Sequence, residues 1–148
     1  MADQQRRADA VWEGSLAKGS GVVTLTSSGV AQALPVTWAS RTERSSGKTS
    51  PEELVAAAHA SCYCMALSND LGDAGTPPDK LEVSAVVTFA KIESGWKVAS
   101  SALTVKGTVP SIDEATFKAA AEEAKDGCPI SGALKGNVAL SVEATLEG

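Results

Sequence analysis

No run of lysine or arginine occurs in the 148 residues, and the formal net charge is −5. A nucleic-acid surface needs clustered positive charge to displace counterions from phosphates, so this composition argues against that class of partner. No apolar stretch approaches the length of a membrane span, which argues against membrane insertion. The opening MADQQRRADA lacks the hydrophobic region of a secretory signal and points to a cytoplasmic protein. There is no repeat, linker or low-complexity tract, so residues 1–148 read as one domain. Only three cysteines and one histidine are present. In a reducing compartment, three irregularly spaced cysteines are a poor disulfide framework; redox chemistry, a metal or plain packing remain open.

What is there describes a globular chain, with 43% hydrophobic and 21% charged residues. It is organised around one stretch, TSPEELVAAAHASCYCMALSN, from Thr49 to Asn69. Ser50 is placed as N-cap, Pro51 as first helical residue, and Glu52 and Glu53 complement the positive helix end. The helix continues to about Gly72, rich in alanine and apolar on nearly every face, as a buried helix is.

Before it, Ala8–Glu13 reads as a short strand carrying Trp12. Lys18-Gly19-Ser20-Gly21 reads as a turn, and Val22–Thr26 and Ala31–Thr37 as a hairpin around Ser27-Ser28-Gly29. Arg41–Lys48 is a polar loop, whose arginines are read most simply as solvated. After the helix, Leu81, Val83, Ala85, Val87 and Phe89 alternate along a strand that turns at Glu93-Ser94-Gly95 into Trp96–Lys106. Ser111-Ile112-Asp113-Glu114 has the spacing of a capping box. It precedes a helix to Lys125 or Asp126 with Phe117, Ala120, Ala121 and Ala124 on one stripe. A shorter helix from Cys128-Pro129 to about Leu134 and a strand from Asn137 to Leu146 complete the order βββ-α-ββ-αα-β. Hairpin strands with inserted helices define an α+β fold rather than a doubly wound one.

A helix turns about 100° per residue, so Cys62 and Cys64 point roughly 200° apart and cannot bond each other within it. Either alone reads most simply as packing, since free cysteine is commonly buried. Cys128 sits between Gly127 and Pro129 at a helix start, where free N–H groups stabilise a thiolate. A cysteine on a buried helix and another at a second helix's start suit a two-cysteine site, in which a sulfenic acid on one condenses with the other. His59, one turn before Cys62, reads as a hydrogen-bonded core residue, with a basic role as the alternative.

The segments SPEELVAAAHASCYCMALS and GCPISGALKGNV, with the opening VWEGSLAKGSG, resemble the osmotically inducible/organic hydroperoxide resistance (OsmC/Ohr) family over essentially the whole chain. The HAxC spacing and the CPxS motif resemble the OsmC branch. This resemblance implies an oxidoreductase, a thiol peroxidase reducing organic hydroperoxides in preference to hydrogen peroxide, without metal, haem or other cofactor. It implies antiparallel sheets around a central helix in an intertwined homodimer, re-reduced by a dithiol such as dihydrolipoamide or a lipoylated protein. By motif, Cys62 matches the peroxidatic nucleophile and Cys128 the resolving thiol. Arg41 matches the arginine that stabilises the thiolate and orients peroxide, and Glu52 the glutamate that holds it. Cys64 departs from the pattern, standing where a small or polar residue such as serine is expected.

Helix-end electrostatics alone favours Cys128 as the more acidic thiol, whereas the resemblance names Cys62; a nearby Arg41 reconciles the two. Ten residues separate Glu52 from Cys62, about 15 Å along a helix, too far for contact. Arg41 must bridge them, or two chains must combine, which leads to an expectation of composite sites at a dimer interface. Val55, Met65 and Leu67, with Trp38 or Tyr63, are candidates to line a pocket for a hydrocarbon tail. Two other readings stand beside this one. A metal module using His59, Cys62 and Cys128 lacks a fourth ligand. A non-enzymatic redox sensor or apolar-ligand binder on the same scaffold would form the disulfide without rapid turnover.

Overall fold

A computed structural model describes residues 2–148. The chain divides into two compact units, one ending at Glu53 and one spanning Leu54–Gly148.

In the first unit, β1 (Asp9–Glu13), β2 (Ser20–Thr24) and β3 (Leu34–Val36) form an antiparallel sheet in that order. Ser20 and Gly21, expected in a turn, already belong to β2. The glycine at 21 is required there: a Cβ would stand 2.6 Å from the Val11 carbonyl and 2.8 Å from the Trp12 ring. The strand that follows is shorter than Ala31–Thr37 because Ala33 takes a positive φ of 52° and breaks the extended run. The Arg41–Lys48 segment is not wholly a loop. A short helix, α1 (Trp38–Thr42), begins at N-cap Thr37, whose hydroxyl accepts from the Ser40 N–H while the Ser40 hydroxyl accepts from the Thr37 N–H. Five residues carry too little periodicity to reveal such a helix.

The long helix α2 (Pro51–Asp73) starts where Ser50 and Pro51 place it, and the Ser50 hydroxyl accepts the Glu53 N–H at 3.1 Å. Most of α2 belongs to the second unit. His59, Tyr63, Leu67 and Leu71 recur every four residues as its buried row. Ala57, Ala58, Ser61, Met65 and Ser68 are exposed on the opposite side, so one chain buries only part of a helix apolar all round.

The second sheet has the order β4-β5-β6, from β4 (Lys80–Ile92), β5 (Gly95–Thr108) and β6 (Ala139–Leu146). The β4–β5 hairpin is antiparallel, with a register shift at Thr88/Phe89. The β6 strand pairs with β5 in parallel, not in the antiparallel manner expected. The two helices between them, α3 (Glu114–Gly127) and α4 (Pro129–Leu134), supply the long connection a parallel return needs.

The expected capping box at Ser111 does not form. Asp113 is the N-cap, its carboxylate accepting the Thr116 N–H at 2.7 Å, while Ser111 takes a positive φ of 63°. A carboxylate adds attraction to the helix dipole that a serine hydroxyl lacks, so the helix starts two residues later. On α3, Phe117, Ala121 and Ala124 are buried. The Phe117 ring lies on Gly107, where a Cβ would collide with it. Tyr63, Leu67, Leu71, Leu103, Val105 and Phe117 form the centre of the core. Tyr63 is fixed there by donating to the Ala121 carbonyl at 2.8 Å.

Candidate redox site

Within the first unit, α1 and the start of α2 place Arg41 against Glu52. Arg41 Nη2 lies 2.9 Å from Glu52 Oε1, and Nε donates to both carboxylate oxygens at 3.0 and 3.2 Å. Two donors on one carboxylate fix the guanidinium plane as well as its position. The Arg41 Cζ also sits 5.9 Å from the centroid of the Trp38 ring, a cation–π distance. Glu52 is buried. The expected pairing of Arg41 with Glu52 is therefore present.

Within the second unit, Cys62 on α2 packs against the core cluster that holds Cys128, the residue before α4, near enough for each thiol to shift the other, and all three cysteines are free thiols. Burial pushes the Cys62 thiol above its ordinary range; the neighbouring Cys128 thiol adds to the rise, and the Ile130 N–H offsets part of it. Cys128 moves the other way. Burial pushes it up, but the Ser131 N–H, the Cys62 thiol, the Ser131 hydroxyl and the Ile130 N–H together bring it below its ordinary range. The reason is local: the first amides of a helix have no intrahelical carbonyl to bond, so they face whatever precedes the helix. Cys128 itself is buried.

His59 is fully buried and bonded at both ring nitrogens. Nδ1 lies 2.6 Å from Ser101 Oγ on β5 and Nε2 lies 2.8 Å from Ser131 Oγ on α4. Burial pushes its pKa down. Ser101 and Ser131 are buried too. Neither serine figured among the candidate site residues. Ser131 was visible only as the last letter of the Cys-Pro-Ile-Ser segment, and Ser101 carries no sequence signal, being 42 positions from its partner.

Cys64 points away from this pair. Burial raises its thiol pKa, and it borders a cleft of about 530 Å³ with Met65, Ser68, Pro78 and Lys80. Of the candidate pocket residues, Leu67 and Tyr63 are core residues and Met65 is 68% exposed. Among the described residues, no group of three or more His, Cys, Asp or Glu side chains is disposed to hold a metal, and no helix is long and apolar enough to cross a membrane.

Two neighbouring free thiols from separate elements, shifted in opposite directions, thus stand together on an α+β scaffold. That arrangement has a known family. The OsmC family model, described as OsmC-like protein, matches residues 44–143. Peroxiredoxin OsmC of Escherichia coli K12 is 40% identical over 138 residues, covering 93% of this chain and 95% of the relative; the protein of that name from Shigella flexneri matches equally. Among solved structures, the organic hydroperoxide resistance protein OhrB of Bacillus subtilis aligns with a TM-score of 0.72 at 26% identity, covering 94% of this chain and 98% of that one. An organic hydroperoxide resistance protein OsmC from Legionella pneumophila shares the fold, with a TM-score of 0.73 at 21% identity over 98% and 99% of the two chains. The chain belongs to the OsmC family, and its identity to the peroxiredoxin OsmC proteins places it in the OsmC branch.

Proposed function

We propose that this chain is a two-cysteine peroxidase for organic hydroperoxides, both units acting as one OsmC-like domain. The observation that carries the reading is that Cys62 packs against the core cluster holding Cys128, with the two thiols close enough to shift each other's pKa. The names of the relatives, peroxiredoxin OsmC and organic hydroperoxide resistance protein, supply the substrate class.

In this scheme the Cys62 thiolate attacks the distal peroxide oxygen. The O–O bond breaks, the alkoxide takes a proton to leave as an alcohol, and Cys62 becomes a sulfenic acid. Cys128 then attacks the Cys62 sulfur; the S–O bond breaks, hydroxide leaves as water, and the disulfide closes. A dithiol such as dihydrolipoamide reopens it by thiol–disulfide exchange and is itself oxidised to a disulfide.

Burial works against a Cys62 thiolate, so the first step needs a cation. Arg41, oriented by Glu52, is that cation. Its planar fork suits both a thiolate and a peroxide oxygen, and its pairing with a carboxylate preorganises it before substrate arrives. Supplied across an intertwined homodimer, Arg41 of one chain would serve Cys62 of the other. The exposed Ala57, Ala58, Ser61 and Met65 face of α2 supports such a pairing, since an alanine-rich helix face is suited to close packing against a second copy.

The test is steady-state reduction of cumene hydroperoxide with dihydrolipoamide as electron donor. Turnover that exceeds the rate with hydrogen peroxide is expected from the wild type, and none from Cys62→Ser. A disulfide that forms without catalytic turnover would make the chain a redox sensor and overturn the enzymatic reading.

A further inference from the structure

The only histidine of the chain is sealed in the core between two buried serines, and the mechanism above does not use it. Proton counting shows what it controls. A neutral imidazole carries one N–H, so one ring nitrogen donates and the other accepts. A serine hydroxyl has one proton and can aim it in one direction only. With its proton on Nε2, His59 donates to Ser131 Oγ across 2.8 Å, and Ser101 donates to Nδ1 across 2.6 Å. Ser131 then has its own proton left for a third group. With the proton on Nδ1 the order reverses: Ser131 spends its proton on Nε2 and turns only lone pairs elsewhere.

The third group is the sulfur of Cys128. Ser131 stands three residues after it, on the first turn of α4 for which Cys128 is the N-cap, and its hydroxyl and N–H are among the groups that draw the Cys128 pKa down. The Nε2–H tautomer therefore matches a thiolate at Cys128, and the Nδ1–H tautomer matches a thiol. We propose that His59, as the Nε2–H tautomer, is a positioning residue that turns the Ser131 hydroxyl proton onto the Cys128 sulfur and so readies Cys128 as the resolving thiolate.

The surroundings support this arrangement. All buried side-chain polar atoms among the described residues have a hydrogen-bond partner, so the chain Ser101–His59–Ser131 is complete as it stands. Burial alone acts on the imidazole, lowering its pKa and keeping it neutral, which is the condition for a directional tautomer. An imidazolium would donate from both nitrogens and would place an ion in the core. The other titratable groups near Cys128 are Cys62 and Tyr63, whose hydroxyl is committed to the Ala121 carbonyl. Both lie on α2.

The resolving step balances without consuming any proton of the relay. Cys128 loses its proton on ionisation, its sulfur lone pair forms the S–S bond as the Cys62 S–O bond breaks, and the departing hydroxide recovers one proton as water. The net change is sulfenic acid plus thiol to disulfide plus water. His59 and Ser131 finish with the protons they began with.

The use assigned to Cys128 rests on the peroxidase reading, but the test needs no peroxide. The reduced full-length protein is alkylated with iodoacetamide across a pH series, and each cysteine is followed separately by peptide mass spectrometry. Ser131→Ala and His59→Leu are expected to raise the Cys128 labelling midpoint by about one pH unit, roughly a tenfold loss of thiolate below that midpoint. His59→Gln, which keeps an amide N–H, is expected to fall between them and the wild type, while Cys64 keeps its own profile. The double variant His59→Leu/Ser131→Ala is expected to go no further than Ser131→Ala. A Cys128 midpoint that stays at the wild-type value in a folded His59→Leu protein would overturn the proposal.

If the leucine variant does not fold, ¹⁵N-histidine labelling of the wild type decides, because one histidine yields one pair of ring signals. Nε2–H above the Cys128 midpoint supports the proposal, and Nδ1–H there overturns it. A shifted Cys128 profile in a protein without turnover would remove the peroxidase reading and leave this inference in place.

Discussion

Cys62 lies in mid-helix, where every backbone N–H of α2 is committed to the ladder, whereas Cys128 precedes a helix whose first amides have no such partner. The two thiols are near enough to shift each other, yet burial dominates the first and hydrogen bonds outweigh burial at the second. Proximity alone does not set acidity; the set of donors around each sulfur does. A division of labour follows. In the proposed scheme the thiol with the larger set of donors resolves, and Cys62, where the Ile130 N–H offsets only part of the burial, needs an external cation to begin the reaction.

The largest expected effect separates the two thiols by role. Cys62→Ser is expected to reduce peroxide consumption to the uncatalysed level. Cys128→Ser is expected to keep one rapid equivalent of consumption and then stall, leaving a dimedone-reactive sulfenic acid at position 62. Stopped-flow kinetics with mass spectrometry of the trapped adduct checks both. The same behaviour in both variants would break the comparison.

Next in size is the cation. Removing one preorganised donor from a developing anion costs about 10²–10³ in rate. Arg41→Gln is expected to slow sulfenic acid formation by that order while leaving the Cys128 alkylation profile in place, with Glu52→Gln acting in the same direction but less. Mixing inactive Arg41→Gln and Cys62→Ser protomers sharpens the point. If Arg41 serves the partner's Cys62, random exchange restores about a quarter of wild-type activity, since half the dimers are mixed and each holds one intact site. If each chain is self-contained, mixing restores nothing.

A smaller effect concerns pH. The folded His59 pKa lies below its ordinary value of 6.5. Below pH 6.5 the unfolded chain binds a proton that the fold refuses, so stability is fully present above that value. It declines as pH falls toward the folded pKa, with a limiting slope of about 1.4 kcal/mol per pH unit. Denaturant titrations between pH 7 and 5 are expected to show this decline in the wild type and to lose it in His59→Asn. The smallest effect is at Cys64, which faces away from the pair. Cys64→Ser is expected to change the rate of disulfide formation by less than twofold.

Much of this scaffold is legible in the sequence. Ser50-Pro51 marks the start of α2, and the alternation from Leu81 to Phe89 marks β4, because caps and alternation are local signals. The misplaced cap at Ser111 was a choice between two local signals that the carboxylate of Asp113 won. The parallel pairing of β6 was not legible, because a strand's alternation is the same whichever way its neighbour runs. At the site, the motifs named Arg41, Glu52, Cys62 and Cys128; the first two are joined by an ion pair, and Cys62 packs against the core cluster that holds Cys128. The Ser101–His59–Ser131 chain was hidden, since its members are 42 and 72 positions apart and hydroxyls leave no periodic trace.

The central claim is that Cys62 and Cys128 are one redox couple. It is tested most directly by treating the reduced protein with one equivalent of cumene hydroperoxide, quenching over time and mapping the peptides, with hydrogen peroxide in parallel. The account predicts a rapid Cys62–Cys128 disulfide, formed faster with the organic peroxide, and Cys64 left reduced. A Cys62 that stays reduced, or that bonds only to Cys64, would contradict it.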